Sequence, residues 1–92
     1  MPKITITREH SKSREELVPL INTVREKLEQ RYDIDSEWQS DNCVEFERIG
    51  LNGTLEFTDA QVNVIIEIGF VLGAFKGKIE QELNTTLDKA LG

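Results

Sequence analysis

Cys43-Val44-Glu45-Phe46-Glu47-Arg48-Ile49-Gly50-Leu51-Asn52-Gly53-Thr54-Leu55-Glu56-Phe57 alternates apolar and polar residues on both sides of a glycine-bearing interruption. Successive side chains of a strand point to opposite faces, so Cys43 to Ile49 predicts a strand with Val44 and Phe46 inward and Glu45 and Glu47 outward. Gly50-Leu51-Asn52-Gly53 predicts the turn, because Asn-Gly favours the positive φ angles of hairpins. Thr54 to Phe57 then returns as a strand. Thr58-Asp59-Ala60 makes a second turn, and Gln61 to Ile68 is a further strand with Val62, Val64, Ile66 and Ile68 on one face. Ile65 falls on the other face, which suggests cover on both sides at the centre of that strand.

Working outward toward the N-terminus, Asp33 to Asn42 is polar and acidic and reads as a loop, with room for a short strand around Trp38. Before it, Leu17, Leu20, Ile21, Val24 and Leu28 recur at helical spacing and form one apolar stripe. Ser13 and Glu16 supply the S-x-x-E capping box that starts such a helix. Pro19 leaves two alternatives, a regular helix starting just after Ser13 or a kink at Pro19. Lys3 to Arg8 alternates β-branched residues and predicts a strand with Ile4 and Ile6 inward. Toward the C-terminus, Leu72, Phe75, Ile79, Leu83 and Leu87 mark one stripe of a long helix from Phe70 to Leu91. The expected fold is α+β: an antiparallel sheet of about four strands, two amphipathic helices packed on it, and the order β-α-β-β-β-α.

The 92 residues fit one domain, 1–92. A chain near this size buries roughly 60% of its unfolded surface, enough for one modest core and little for a deep enzymatic cleft. With 38% hydrophobic residues the chain is not disordered. Seventeen acidic against 11 basic residues give a net charge of -6. Nucleic acid and anionic membrane surfaces both recruit Lys and Arg clusters, so neither is an expected partner. Val62 to Phe75, the most apolar stretch, is broken by Asn63 and Glu67 and is shorter than the ~20 residues a transmembrane helix needs. Cys43 is the sole cysteine, which excludes an intramolecular disulfide, and the N-terminus has no apolar signal region. A cytoplasmic protein is expected.

No residue cluster predicts catalysis. His10 has no Ser or Cys nucleophile placed with it and is expected to hydrogen-bond locally at the strand-helix junction. Cys43 lies beside Asp41 and Glu45, which would raise its pKa rather than activate it. Asp33, Asp35, Glu37 and Asp41 follow part of a calcium-loop spacing. Trp38 stands where that loop needs Gly, and Val44 where it needs a bidentate Glu. No metal or cofactor is therefore expected. Gly73 and Gly77 are four apart in the last helix, and each costs about 1 kcal/mol relative to Ala. Something close to the backbone is implied: the domain's own sheet, or a partner. A short chain with exposed sheet edges and these glycines predicts a homodimer.

The ordered combination of Arg8-Glu9-His10-Ser11, Trp38 with Asp41, Phe46-Glu47-Arg48-Ile49-Gly50 leading to Gly53, and Ile68-Gly69-Phe70-Val71-Leu72-Gly73-Ala74-Phe75-Lys76-Gly77-Lys78-Ile79-Glu80 with Leu87-Asp88 resembles a family. The chain is similar, over nearly its full length, to small bacterial proteins of the polyhydroxyalkanoic acid system, or granule-region, family. It departs from them in the first helix, where Ser11-Lys12-Ser13 and Pro19 replace a more apolar start. The resemblance implies a cytoplasmic role near polyhydroxyalkanoate storage granules. It implies no activity, cofactor or catalytic residue. The expected function is a non-enzymatic accessory or binding protein acting through a protein or apolar surface, with a granule or granule-protein surface as partner. The alternative is a small hydrophobic-ligand binder with its cavity under a helix-gripped sheet, by fold analogy. A hydrolase lacks a nucleophile motif.

Overall fold

The computed structural model describes residues 3–91. Its elements in chain order are β1 (Lys3–Glu9), α1 (Arg14–Tyr32), β2 (Asp35–Ser40), β3 (Cys43–Arg48), β4 (Leu51–Phe57), β5 (Gln61–Ile68), a 3-10 segment (Phe70–Phe75) and α2 (Lys76–Leu91). The strands form one antiparallel sheet in the order β1-β5-β4-β3-β2. The fold is α+β with two helices as expected, but the sheet has five strands and the order is β-α-β-β-β-β-α.

The added strand is β2, within the segment expected to be largely loop. Its single large apolar residue gives almost no alternating signal. Tertiary contacts make it a strand: Trp38 faces inward opposite Val44, and Ser36 opposite Phe46. Trp38 Nε1 donates to Asn22 Oδ1 at 3.1 Å, and Arg25 Nε donates to Ser36 Oγ at 2.8 Å. Arg25 also donates to Asn22 Oδ1, so one polar network ties the edge strand to α1. The Trp38 ring meets Phe57 edge-on, with centroids 6.2 Å apart.

The β3–β4 turn is also displaced from the expected Gly50–Gly53. It is Ile49-Gly50, and Asn52-Gly53 lies inside β4. A tight turn at Asn52-Gly53 would pair Val44 with Gln61 and Phe46 with Asp59, beyond the strand's end. The observed register sets Val44 against Leu55 and leaves Gly53 opposite the Phe46 ring. Apolar pairing therefore overrides the local turn preference. Gly50 takes φ 85°, a conformation that a side chain resists.

α1 starts at the Ser13–Glu16 capping box, where each side chain accepts from the other's backbone N–H. It continues through Pro19 as one element and ends at Asp33 with φ 56°. The chain then enters β2 at the opposite edge of the sheet from β1. A 19-residue helix spans about 28 Å, ample for crossing five strands spaced about 4.8 Å apart. Leu17, Ile21, Val24 and Leu28 are buried, while Leu20 is only half-buried.

The expected helix from Phe70 to Leu91 is divided. Phe70–Phe75 forms 3-10 turns and only Lys76–Leu91 is α-helical. A tighter helix rotates its side chains by a different angle per residue, so the stripe breaks at the junction. Ile79, Leu83 and Leu87 are buried and Leu72 packs partly on the core, but Phe75 is 43% exposed. Arg31 on α1 meets Glu82 on α2 at 3.2 Å. Arg8 on β1 reaches Asn84 at 2.5 Å and Asp88 at 3.2 Å on α2. The helices thus lie together on one face of the sheet, over a core of Ile4, Phe46, Leu55, Val64, Ile66 and their neighbours.

Candidate functional site

Two surfaces are left by this arrangement. The first is the sheet face away from the helices. Its outward side chains alternate with the core positions: Thr5 and Thr7 on β1, Asn63, Ile65 and Glu67 on β5, Thr54 and Glu56 on β4, Glu45 and Glu47 on β3, and Asp35 and Glu37 on β2. Ile65 is 39% exposed, so the expected cover over that position is not supplied by the described residues. Glu37 stands directly opposite Glu45, and Asp35 opposite Glu47. Like charges facing each other across strands destabilise the pairing, so this face keeps a strongly negative potential at some energetic cost. A depression of about 600 Å³ lies on it, lined by Glu45, Glu47, Asn52, Gly53, Thr54 and Ile65 among others.

The second surface is the end of the sheet that carries the β3–β4 turn. Gly69 N–H donates to Gly50 O at 2.6 Å, extending the β4–β5 ladder one step past Leu51 and Ile68. A Cβ on Gly69 would stand 3.1 Å from that same oxygen, a tight contact that the Gly50 backbone would have to relieve by a few tenths of an ångström. Flanking this contact are Ile49, 96% exposed, and Phe70, 97% exposed. Both are out of phase with the apolar pattern of their neighbours. Ile49 follows the inward positions Val44 and Phe46 by odd steps, and Phe70 lies off the Leu72–Leu87 stripe. That phase mismatch is the signal the sequence carries for them, masked because Ile49 continues a strand pattern and Phe70 adjoins a helical one.

The other candidates are structural. His10 Nδ1 accepts from Lys12 N–H at 3.1 Å, and Nε2 donates to Thr58 O at 2.8 Å. Both ring nitrogens are engaged with backbone, as expected of a junction residue, and neither is free to act as a base. Burial first, then the charges of Glu56 and Glu45, push the Cys43 thiol above its ordinary range. Glu56, across the strand pair from Cys43, acts where Asp41 was expected to. Asp33 caps α1, while Asp35 and Glu37 lie on β2. Among the described residues no group of three or more His, Cys, Asp or Glu is placed to hold a metal.

Gly73 and Gly77 are not brought together on one α-helical face, because Gly73 belongs to the 3-10 segment. A Cβ on either meets no heavy atom within 4 Å. Close packing against the domain's own sheet therefore does not account for them.

No helix among the described residues is long and apolar enough to cross a membrane. No curated protein and no solved structure shows significant similarity to the chain. The family described as "Putative polyhydroxyalkanoic acid system protein" matches residues 4–91, every element of the fold except the first residue of β1. The chain belongs to this polyhydroxyalkanoic acid system family.

Proposed function

We propose that the protein is a non-enzymatic accessory or binding protein of the polyhydroxyalkanoate storage system, working in the cytoplasm through its surface. The observation that carries this reading is the sheet face left open across all five strands while both helices occupy the other. That face is polar and acidic apart from Ile65, and the exposed apolar side chains Ile49 and Phe70 stand at its end, where apolar surface left in water marks a contact site. Among the described residues, His10 with both ring nitrogens engaged and Cys43 with its raised thiol pKa do not make a nucleophile–base pair for hydrolysis.

A small hydrophobic-ligand binder is less well supported. Its cavity would lie between helices and sheet, where Phe46, Leu55, Val64, Ile66 and Leu83 are buried against one another. The depression of about 600 Å³ is on the opposite face, where Glu45, Glu47 and Glu67 disfavour a bare hydrocarbon.

Granules isolated on a density gradient from polymer-accumulating cells test the proposal. The tagged protein is expected in the granule fraction. A protein that stays wholly in the supernatant, with polymer content unchanged by its deletion, would sink it.

A further inference from the structure

We infer that Ile49 and Phe70 form a paired apolar tip that inserts into the uncharged polyester surface of a storage granule. The two side chains are 96% and 97% exposed, against 39% and 43% for Ile65 and Phe75, the other exposed large apolar residues described. The core is closed without either of them. Each is bonded to one glycine of the Gly50–Gly69 contact, a 2.6 Å hydrogen bond, so the antiparallel register sets the two as neighbours one step past it. Gly50 with its φ of 85° and Gly69, where a Cβ would press on the Gly50 oxygen at 3.1 Å, let the two backbones come this close, so the pair is presented from the hydrogen-bonded end of the sheet. The site deepens the storage-system reading above and rests on it for the identity of the surface.

Area and charge choose the occupant. A buried Phe contributes roughly 150–250 Å². With Ile49 the tip offers on the order of 400 Å², about half of the ~800 Å² per partner of a standard protein interface. Two such tips are too small to hold a second copy, whereas a penetrable apolar layer needs no complementary pocket. Glu47 and Glu67 flank Asn52 at the same end of the sheet, and the whole chain carries -6. Arg48, beside Ile49, is turned onto the Tyr32 carbonyl oxygen, so with Glu47 and Glu67 this end has no cationic cluster to attract an anionic membrane. A polyester has no charge in its repeating unit and offers alkyl groups and ester oxygens.

Sedimentation of the purified full chain with amorphous poly(3-hydroxybutyrate) particles tests the tip. Unaltered protein is expected to partition to the particles. Phe70→Ser and Ile49→Ser should each weaken partitioning about 10- to 100-fold, the loss of one buried apolar side chain. Phe70→Leu should retain most binding, and Ile65→Ser should leave it unchanged. Melting temperatures should match throughout, since the replaced tip side chains are already in water. Absence of binding by unaltered protein, or binding by both tip variants equal to that of unaltered protein, overturns the inference. So does stronger tip-dependent binding to phosphatidylglycerol vesicles, or a tip substitution that only lowers the mass in light scattering. Granule fractions from cells separate the two readings. Tip-dependent binding in vitro with no protein on cellular granules sinks the storage-system role alone. Cellular granules that retain the Phe70→Ser,Ile49→Ser variant sink the tip alone.

Discussion

Gly53 lies between Phe46 on β3 and Ile66 on β5, and a Cβ built on it stands 2.6 Å from the Ile65 carbonyl oxygen and 2.8 Å from Ile66 Cγ1. The nearer atom is backbone, so relief requires the central strands to part. Gly53→Ala is expected to cost about 1–3 kcal/mol, read by urea denaturation, the usual scale of overpacking. Cys43 carries a chemical prediction. With its thiol pushed up by burial and by Glu56 and Glu45, alkylation by iodoacetamide near neutral pH should be slower than for a free cysteine. Glu56→Gln should speed it, and a rate that matches free cysteine would contradict the assignment. Glu16 carries a pH prediction. Its hydrogen bonds from the Ser13 backbone and side chain lower its pKa from the ordinary value of 4.5. The folded state holds this proton more weakly than the unfolded state does. Its contribution to stability is therefore full above pH 4.5 and is lost as pH falls through the lower folded value. Glu16→Gln should flatten that part of the acid-unfolding curve, and an unchanged curve would show that the capping box does not titrate.

At the scale of elements, the last helical segment separates two roles that periodicity had merged. Leu83 is 1% exposed on α2 and Phe75 is 43% exposed on the 3-10 segment. Leu83→Ala should cost about 2–5 kcal/mol by denaturation, whereas Phe75→Ala should cost less than about 1 kcal/mol. Equal losses would restore a continuous stripe. The strands Lys3–Glu9 and Gln61–Ile68 were legible because their period-two pattern needs no distant partner to be seen. The start of α1 was legible because a capping box is complete within four residues. β2 was legible only as a short strand around Trp38, since its inward positions are Ser36 and Trp38 and its anchors, Asn22 and Arg25, lie on another element. The Asn52-Gly53 signal misled for the opposite reason: a locally good turn was overruled by the pairing of Val44 with Leu55.

For the whole molecule, the expected homodimer stands as a proposal with a direct measurement. Gly77 is exposed, and a side chain there meets nothing within the chain. Light scattering at rising concentration should give a dimer mass if a second copy approaches this face. Gly77→Leu should then lower the mass without lowering the melting temperature; a persistent monomer would contradict the dimer. By itself the sequence determined the class of the molecule: a small α+β domain, acidic, with amphipathic strands and helices, and a family membership spread along nearly its full length. Those properties sum over local residues, and local patterns record them. Only the tertiary structure decided the extent and pairing of the strand around Trp38, the turn at Ile49-Gly50, the open face of the sheet and the exposed Ile49–Phe70 pair. Each depends on which surfaces the rest of the chain covers. Exposure is fixed by residues distant in sequence, so an apolar side chain looks the same in the sequence whether it closes the core or stands in water.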